Sequence, residues 1–290
     1  MKQDDRLPDF LIVGAMRSGT TTLFRLLAAH PEIGGAPGKE IRFFDLHFDR
    51  GLDWYQGRFS PVAGCRLIGE ASQTYMYDPV ASKRLLALLP HAKLIAILRD
   101  PVDRAYSHYW LNKARGREPL DFSHALGEES ARIGRDPISR YLYSYVDRGR
   151  YHVQLQRLSD PLDDAHLHVV LFDDLRDDPA ATYRELCRFL HVDDSFVPGL
   201  LGERINAYQE VRSLRLRRLT KTLKRRGTTV AKRASGLLGA LNRRRTFYPP
   251  MSSDIRDRLA KVFREDNLAL ARWLGRDLHW TGFTESRVSR

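Results

Sequence analysis

One turn constrains this chain more than any other stretch: a glycine-rich connection that follows a short apolar run early in the sequence. The run is Phe10-Leu11-Ile12-Val13, and the connection is Gly14-Ala15-Met16-Arg17-Ser18-Gly19-Thr20-Thr21-Thr22. A short apolar run that ends at a glycine is typical of a buried parallel strand. From Thr20 to Ala29, leucines at helical spacing predict a helix. The connection therefore lies between a strand and the N-terminus of a helix.

The composition of this turn favours an anionic ligand. Glycine permits a tight turn and a close approach of the backbone, and a helix N-terminus offers unpaired N–H groups with a partial positive charge. Three consecutive threonines, Thr20–Thr22, add hydroxyls, and Arg17 adds a cation. The alternative is an ordinary capped junction in which the threonines satisfy the first helical turn. We favour phosphate binding because so many donors stand at one junction.

The turn departs from the Walker A pattern at a decisive position. Gly14 and Gly19 have the spacing of G-x-x-x-x-G-K-[ST], but Thr20 stands where that pattern has lysine. A kinase or NTPase needs this lysine at the β- and γ-phosphates and an acidic ligand for Mg²⁺. The next apolar strand ends in Leu98-Arg99-Asp100, in which an arginine precedes the acid. A P-loop nucleoside or small-molecule kinase is therefore only the alternative interpretation.

The order of the remaining apolar segments predicts the fold class. Apolar runs at Lys93–Leu98 and Leu167–Phe172 predict strands, and helices are expected around Ala81–Leu89 and Ile255–Leu274. Alternating strands and helices predict an α/β fold with a mainly parallel central sheet flanked by helices. At 290 residues, we expect a single domain over residues 1–290.

The positive charge is concentrated in one segment. The net charge is +12, yet 13 Lys or Arg and no acidic residue lie between Arg212 and Arg245, and 35 basic against 36 acidic residues remain elsewhere. Apolar residues at intervals of three and four predict a basic helical insertion at about 212–245, broken near Gly227. Its basic face is either simply solvated or in contact with an anionic membrane surface or acceptor. A nucleic-acid-binding protein is the non-enzymatic alternative, although no nucleic-acid-binding motif accompanies the charge.

Cysteine content and hydropathy predict the cellular compartment. Cys65 and Cys187 have no metal-binding spacing, so neither a disulfide framework nor a zinc site is expected. No stretch approaches the roughly 18 apolar residues needed to span a bilayer, and no secretory signal is recognisable. These features predict a cytoplasmic protein, with membrane association through the basic segment as an alternative.

A second junction combines a strand end with basic and hydroxyl residues. Arg99 and Asp100 end the predicted strand, Pro101 is suited to begin a helix, and Ser107 lies within that helix. Arg99 and Ser107 could converge if the helix folds back beside the strand end. An arginine there would bind a phosphate through paired, charge-assisted hydrogen bonds. The alternative is a helix cap with local Arg–Asp pairs.

Both junctions resemble motifs of sulfotransferases that use 3′-phosphoadenosine-5′-phosphosulfate (PAPS). Pro8–Thr21 resembles their 5′-phosphosulfate loop, and Arg99 and Ser107 match the Arg and Ser of their 3′-phosphate motif. The resemblance is strongest to the heparan sulfate N- and 3-O-sulfotransferase type and its bacterial relatives, over roughly residues 8–210 and 250–280. It implies the sulfotransferase fold, PAPS as sulfuryl donor and no metal. The donor-binding residues that it implies in the turn are Arg17, Ser18, Gly19, Thr20, Thr21 and Thr22.

The resemblance also implies specific roles for three residues. Glu40, in the segment Lys39-Glu40-Ile41-Arg42-Phe43-Phe44, matches the general base of the E-I-x-F-F motif. Arg17 stands where those enzymes usually have lysine, so the resemblance implies that it stabilises charge on the leaving bridging oxygen. Tyr151, after Arg148-Gly149-Arg150, matches a segment beside the adenosine. An aromatic residue at a helix start is at least as often part of the core.

One family residue is missing from this sequence. Gly69-Glu70-Ala71-Ser72-Gln73-Thr74-Tyr75 resembles the family's E-K-S-x-x-Y segment, with Ala71 in place of the lysine. The sequence leaves open whether Lys39 supplies that charge from another direction. The substitution also weakens the prediction of a heparan-like acceptor. We therefore expect a hydroxyl or amine acceptor on a saccharide, a lipid or a small metabolite, and no nucleic acid partner.

Overall fold

The chain divides into two compact units, each built from separate stretches of sequence. The computed structural model describes residues 6–59, 62, 64–161, 166–202, 209–211, 243–245 and 248–281. The first unit comprises Met1–Arg104, Asp147–Ile205 and Asp257–Arg290, and the second comprises Ala105–Val146 and Asn206–Arg256. The expected single domain over residues 1–290 stays a prediction.

A five-stranded parallel sheet forms the centre of the first unit. Its strand order is β2-β3-β1-β4-β5. The strands are β1 (Phe10–Gly14), β2 (Ile33–Gly35), β3 (Leu67–Ala71), β4 (Lys93–Leu98) and β5 (Leu167–Leu171). All four pairings between neighbouring strands are parallel. The predicted α/β class with a parallel central sheet is confirmed, whereas β2 and β3 were absent from the sequence-based expectation.

The described helices occur in both units, and none of them has both the length and the apolar character needed to cross a bilayer. The first unit contains α1 (Thr20–Leu27), α2 (Phe43–Leu46), α3 (Leu52–Gln56), α4 (Pro79–Leu88), α9 (Tyr151–Ser159), α10 (Phe172–Asp177) and α11 (Pro179–Leu190). The second contains α6 (Phe122–Gly127), α7 (Glu129–Ile133) and α8 (Pro137–Tyr143). Two helices have residues in both units: α5 (Pro101–Ala114) and α12 (Ser253–Leu274).

Helices cover both faces of the sheet because its central strands are apolar on both sides. In β1, Leu11 and Val13 face a core cluster that includes side chains of α4, α9 and α12. Phe10 and Ile12, on the alternate positions, face a second cluster with α1 and α11. Side chains of a strand alternate between its two faces, so an uninterrupted apolar run is expected only for a strand buried on both sides.

Gly69 is required by the close packing of β3 on β1. Its Cα is paired with that of Phe10, and a Cβ at position 69 would lie 2.4 Å from carbons of the Phe10 ring. We expect Gly69→Ala to lower the free energy of unfolding by about 2–3 kcal/mol, because the buried ring must move. Gly64→Ala is the matched control, since a Cβ there would meet nothing within 4 Å. Urea denaturation of both variants tests this, and equal stability would contradict it.

The basic segment falls largely outside the described residues. Residues 212–242 are not described, so the amphipathic helices expected there stay a prediction. The last three residues of the segment form a strand and not a helix. This strand, β7 (Arg243–Arg245), pairs antiparallel with β6 (Gln209–Val211) in the second unit.

Candidate active site

The candidate site lies at the carboxyl ends of three neighbouring strands, β3, β1 and β4. After β1, the chain first adds β2 and β3 on one side and then β4 and β5 on the other. Open parallel sheets bind ligands in the crevice where the strand order reverses in this way. The loops that follow these strands are the glycine-rich turn, the segment from Ser72 to Tyr75, and the connection at Arg99.

The glycine-rich turn has a backbone suited to anions. Arg17 and Gly19 have left-handed φ angles of 74° and 100°, and such turns form concave nests of backbone N–H groups. Gly19 caps α1 without a side-chain hydrogen bond, and the first turn of α1 contains no acidic residue. A Cβ at Gly19 would lie 3.0 Å from the ring of Phe172, so the turn packs closely on α10. Thr20, Thr21 and Thr22 are the first residues of α1, so their hydroxyls lie next to this nest in the chain.

Tyr151 connects the turn after β1 to the loop after β4. It begins α9 and is fully buried, and its hydroxyl donates a hydrogen bond to the carbonyl of Arg99 at 2.9 Å. Burial raises the pKa of Tyr151 to about 12, although nearby Arg104 and the Ser18 hydroxyl oppose this rise. The ring packs edge-on against Trp280, with centroids 6.0 Å apart. These contacts give Tyr151 a place in the core, and its contact with adenosine stays a prediction.

Arg99 presents a cation at the end of β4. Its guanidinium lies 5.3 Å from the centre of the Phe172 ring, and one nitrogen lies 3.8 Å from the Asp103 carboxylate. Ser107 is buried in α5 and belongs to the second unit. The convergence of Arg99 and Ser107 on one phosphate joins residues of the two units and stays a prediction.

Asp100, the residue after Arg99, is engaged by local structure. One carboxylate oxygen accepts a hydrogen bond from the backbone N–H of Val102 at 2.8 Å, at the start of α5. The other accepts one from the backbone N–H of Thr281 at 2.9 Å. Burial raises the pKa of Asp100, and these hydrogen bonds oppose that effect. One oxygen thus caps α5, and the other holds the backbone of Thr281 beside the strand end.

Glu40 lies in a loop with an unusual backbone. Gly38, Lys39 and Arg42 have φ angles of 87°, 65° and 57°, a conformation that costs a non-glycine residue about 1–2 kcal/mol. The Glu40 side chain is 30% exposed. Its Oε1 accepts hydrogen bonds from Gln73 Nε2 at 3.0 Å and from Lys39 Nζ at 3.3 Å. Within the described part of the chain Oε2 accepts no hydrogen bond, and the role of Glu40 as a base stays a prediction.

A buried carboxylate, Glu70, lies behind this loop. Its Oε1 accepts hydrogen bonds from the hydroxyls of Tyr55 at 2.7 Å and Tyr75 at 3.0 Å. Its Oε2 accepts one from the Ser72 hydroxyl at 2.7 Å and one from the backbone N–H of Ile41 at 3.2 Å. Burial raises the pKa of Glu70 to about 7, and the four hydrogen bonds oppose this rise.

The Glu70 network holds the backbone that follows Glu40. Besides the direct contact to Ile41, the Ser72 hydroxyl accepts a hydrogen bond from the N–H of Arg42 at 3.0 Å. The Tyr75 hydroxyl accepts one from the N–H of Phe43 at 2.8 Å. Three successive N–H groups are therefore attached to Glu70, either directly or through one hydroxyl. This attachment explains how the strained loop keeps its conformation.

Lys39 links the Glu40 loop to the glycine-rich turn. Its Nζ donates hydrogen bonds to Thr20 Oγ1 at 3.1 Å and Thr21 Oγ1 at 3.0 Å, besides the contact with Glu40. Burial lowers the pKa of Lys39, and the Glu40 carboxylate opposes this effect. The predicted base and the predicted phosphate turn are thus joined by one side chain.

Several of the predicted site residues lie close together in the structure, and their roles in binding and catalysis stay predictions. The turn residues are contiguous, Lys39 joins two of them to Glu40, and Tyr151 contacts the Arg99 backbone. Gln73 and Glu70 were not identified as site residues, although both lie in a segment that the family resemblance had marked. Within the described ranges, no group of three or more His, Cys, Asp or Glu side chains could hold a metal ion.

Comparison with known proteins identifies relatives along most of the chain. A family model described as a sulfotransferase domain matches residues 7–265. The human bifunctional heparan sulfate N-deacetylase/N-sulfotransferase 2 is 32% identical over 288 residues, which are 95% of this chain and 30% of that protein. The membrane-associated sulfotransferase kil1 of Dictyostelium discoideum is 39% identical over 134 residues, 43% of this chain and 28% of that protein. The chain thus spans about a third of the length of these curated relatives.

A solved structure gives the same result for the fold. The crystal structure of a sulfotransferase from Alicyclobacillus acidocaldarius superposes with a TM-score of 0.71 at 29% identity, covering 94% of this chain and 98% of that one. The expected sulfotransferase fold is therefore confirmed. With the family model matching nearly the whole chain, this protein belongs to the sulfotransferase family.

Proposed function

We propose that this protein transfers a sulfuryl group from PAPS to a hydroxyl or amine acceptor. The observation that carries the proposal is the contact of Lys39 Nζ with both Thr20 and Thr21 of the anion-binding turn and with the carboxylate of Glu40. An in-line transfer needs a donor site and a proton acceptor close together. The shared contacts of Lys39 indicate that the turn and Glu40 lie close to each other. Membership of the sulfotransferase family supports this reaction class.

The residues around the turn fit a phosphosulfate donor. Nested N–H groups, a first turn of α1 that contains no acidic residue, hydroxyls and nearby cations suit an anion. Arg17 and residues 18–22 would hold the 5′-phosphosulfate, Arg99 and Ser107 the 3′-phosphate, and Tyr151 the adenosine side. When bound, PAPS supplies the activated sulfuryl group and its phosphate leaving group.

Glu40 is the proposed general base. Gln73 and Lys39 fix its Oε1, which leaves Oε2 to take the proton of the attacking acceptor. Arg17 would stabilise negative charge on the departing phosphate, and its guanidinium stays protonated throughout. This division makes Glu40 the proton acceptor and the cations of the turn the stabilisers of the leaving group.

The acceptor is proposed at the level of its chemistry. Relatives named for heparan sulfate N-sulfotransfer favour a hydroxyl or amine on a glycan. At position 71 this chain has alanine where the heparan-type sulfotransferases have lysine. Lipids and small metabolites are therefore the other acceptor classes to test. We also propose a cytoplasmic location, with contact of residues 212–245 with an anionic membrane surface as the alternative.

Donor binding separates this proposal from the kinase alternative. Thr20 replaces the Walker lysine, and both oxygens of Asp100 are engaged by backbone N–H groups, which supports PAPS over Mg²⁺·ATP. We expect calorimetric titration to detect binding of adenosine 3′,5′-bisphosphate and no comparable binding of Mg²⁺·ATP. Transfer of label from PAPS into fractionated lysate, with mass identification of the product, then tests the reaction. Tight ATP binding without affinity for the bisphosphate would favour a kinase.

A further inference from the structure

The glycine-rich turn lacks a lysine of its own, yet a lysine ammonium lies against it. Thr20 occupies the Walker position, and Arg17 and Ala71 occupy the two positions where similar sulfotransferases have a lysine. Lys39, on a different loop, places its Nζ 3.1 Å from Thr20 Oγ1 and 3.0 Å from Thr21 Oγ1. The ammonium therefore lies at the first turn of α1, where a bound anion would meet the helix N-terminus.

The backbone at Lys39 is fixed to the sheet. Its N–H donates to the carbonyl of Ala36 at 3.1 Å, and its carbonyl accepts from the N–H of Ala71 at 3.2 Å. Ala71 is fully buried at the end of β3, so this contact fixes the position of Lys39 relative to the turn. A glycine would adopt the φ angle of 65° without the cost that lysine has there. The choice of lysine at this position points to a role for its side chain.

An ion pair with Glu40 accounts for only part of the Lys39 environment. The Lys39 side chain is 15% exposed, and its three N–H donors face one carboxylate oxygen and two neutral hydroxyls. The carboxylate oxygen is shared with Gln73 and lies 3.3 Å away. Burial disfavours the ammonium and lowers its pKa. A bound anion at the turn would offset this burial cost more fully than the two hydroxyls do.

We propose that Lys39 is a donor-binding residue that contacts the 5′-phosphosulfate group, in place of a lysine at Thr20 or Ala71. This role rests on the proposed function. In the transfer, Glu40 takes the acceptor's proton as the acceptor oxygen or nitrogen bonds to sulfur and the bond from sulfur to the 5′-phosphate oxygen breaks. Lys39 keeps its proton and stabilises the electron pair left on that oxygen through a charge-assisted hydrogen bond.

Two nucleotides that differ only in the 5′-phosphate test this assignment. Calorimetric titration would compare adenosine 3′,5′-bisphosphate with adenosine 3′-monophosphate on the full chain. We expect Lys39→Met to weaken binding of the bisphosphate by about 10- to 100-fold, as expected for the loss of a charge-assisted contact, and to leave binding of the monophosphate unchanged. Lys39→Arg keeps the charge and should stay within about fivefold of the wild-type affinity for the bisphosphate.

The matched control is Lys83→Met, which removes one positive charge from an exposed position on α4. It should bind both nucleotides as the wild type does. Retained binding of the monophosphate by Lys39→Met shows that the site is folded. Equal affinity of Lys39→Met and wild type for the bisphosphate would overturn the role of Lys39 and leave the proposed function standing. A wild-type protein that does not bind the bisphosphate would overturn the proposed function and, with it, this inference.

Discussion

Replacing Glu40 by glutamine is expected to lower the rate of sulfuryl transfer by about 100- to 10,000-fold, while binding of adenosine 3′,5′-bisphosphate stays unchanged. Glutamine keeps the size of the side chain and can still accept hydrogen bonds from Gln73 and Lys39 through its carbonyl oxygen. It cannot take a proton at the position of Oε2. Transfer from labelled PAPS and calorimetric titration of the bisphosphate would measure the two effects separately.

The control for the Glu40 variant is Glu265→Gln on α12. Glu265 is exposed and carries the same charge, so its replacement tests the effect of charge alone. We expect wild-type transfer from this control. Wild-type transfer by Glu40→Gln, with donor binding intact, would refute the role of Glu40 as base.

Removing the carboxyl of Glu70 is expected to have the largest effect on stability. Glu70→Ala leaves four buried donors without their acceptor, at Tyr55, Tyr75, Ser72 and the N–H of Ile41. We expect the free energy of unfolding to fall by about 3–5 kcal/mol, because each unpaired buried group costs about 1–3 kcal/mol and water entering the cavity satisfies some of them. Urea denaturation measures the loss, and a loss below about 1 kcal/mol would contradict this account.

The titration of Glu70 allows a second, pH-dependent measurement of its contribution to the free energy of unfolding. Burial raises the pKa of Glu70 from 4.5 to about 7, so the folded protein binds this proton more tightly than the unfolded chain. The resulting stabilisation is complete below about pH 4.5 and is lost as the pH rises through about 7. The shift corresponds to about 3 kcal/mol.

Glu70→Gln isolates this titration, because glutamine has a similar shape and no proton to lose. Relative to Glu70→Gln, the free energy of unfolding of the wild type should fall by about 3 kcal/mol between pH 4.5 and 7.5. Urea denaturation across this range measures the difference, since other titrating groups are common to both proteins. A difference that stays constant with pH would show that folding does not raise the pKa of Glu70.

The parts of the sheet that could be predicted are those whose burial is visible in the sequence. β1 and β4 are apolar at every interior position because helices cover both faces, and an uninterrupted apolar run of that length indicates a strand directly. β3 contains Gly69 and Glu70, which are poor strand residues, and β2 has only three residues, two of them glycine. Pairing with neighbouring strands, which local composition does not encode, makes these two segments strands.

The candidate site divides in a similar way. The strand–turn–helix junction around Arg17–Thr22 could be predicted because an apolar run, glycines and hydroxyls form a local pattern, whereas anion binding there stays a prediction. The role predicted for Glu40 rests only on the family resemblance, since its surroundings in sequence do not distinguish it from a surface glutamate. Gln73 and Lys39 acquire their contacts through the meeting of two loops at the sheet edge. Such contacts depend on strand order, and strand order was not part of the expectation.

Lys39 and Glu40 are consecutive residues, and this adjacency limits how the protein can change. Their Cα atoms are separated by one trans peptide unit, about 3.8 Å, and both are held by the same loop between Gly38 and Arg42. A shift of that loop moves the ammonium and the carboxylate together, so under the proposed roles backbone movement changes donor affinity and the position of the base at the same time. Under the proposed mechanism, a change in acceptor preference is therefore expected to come from surfaces beyond this loop.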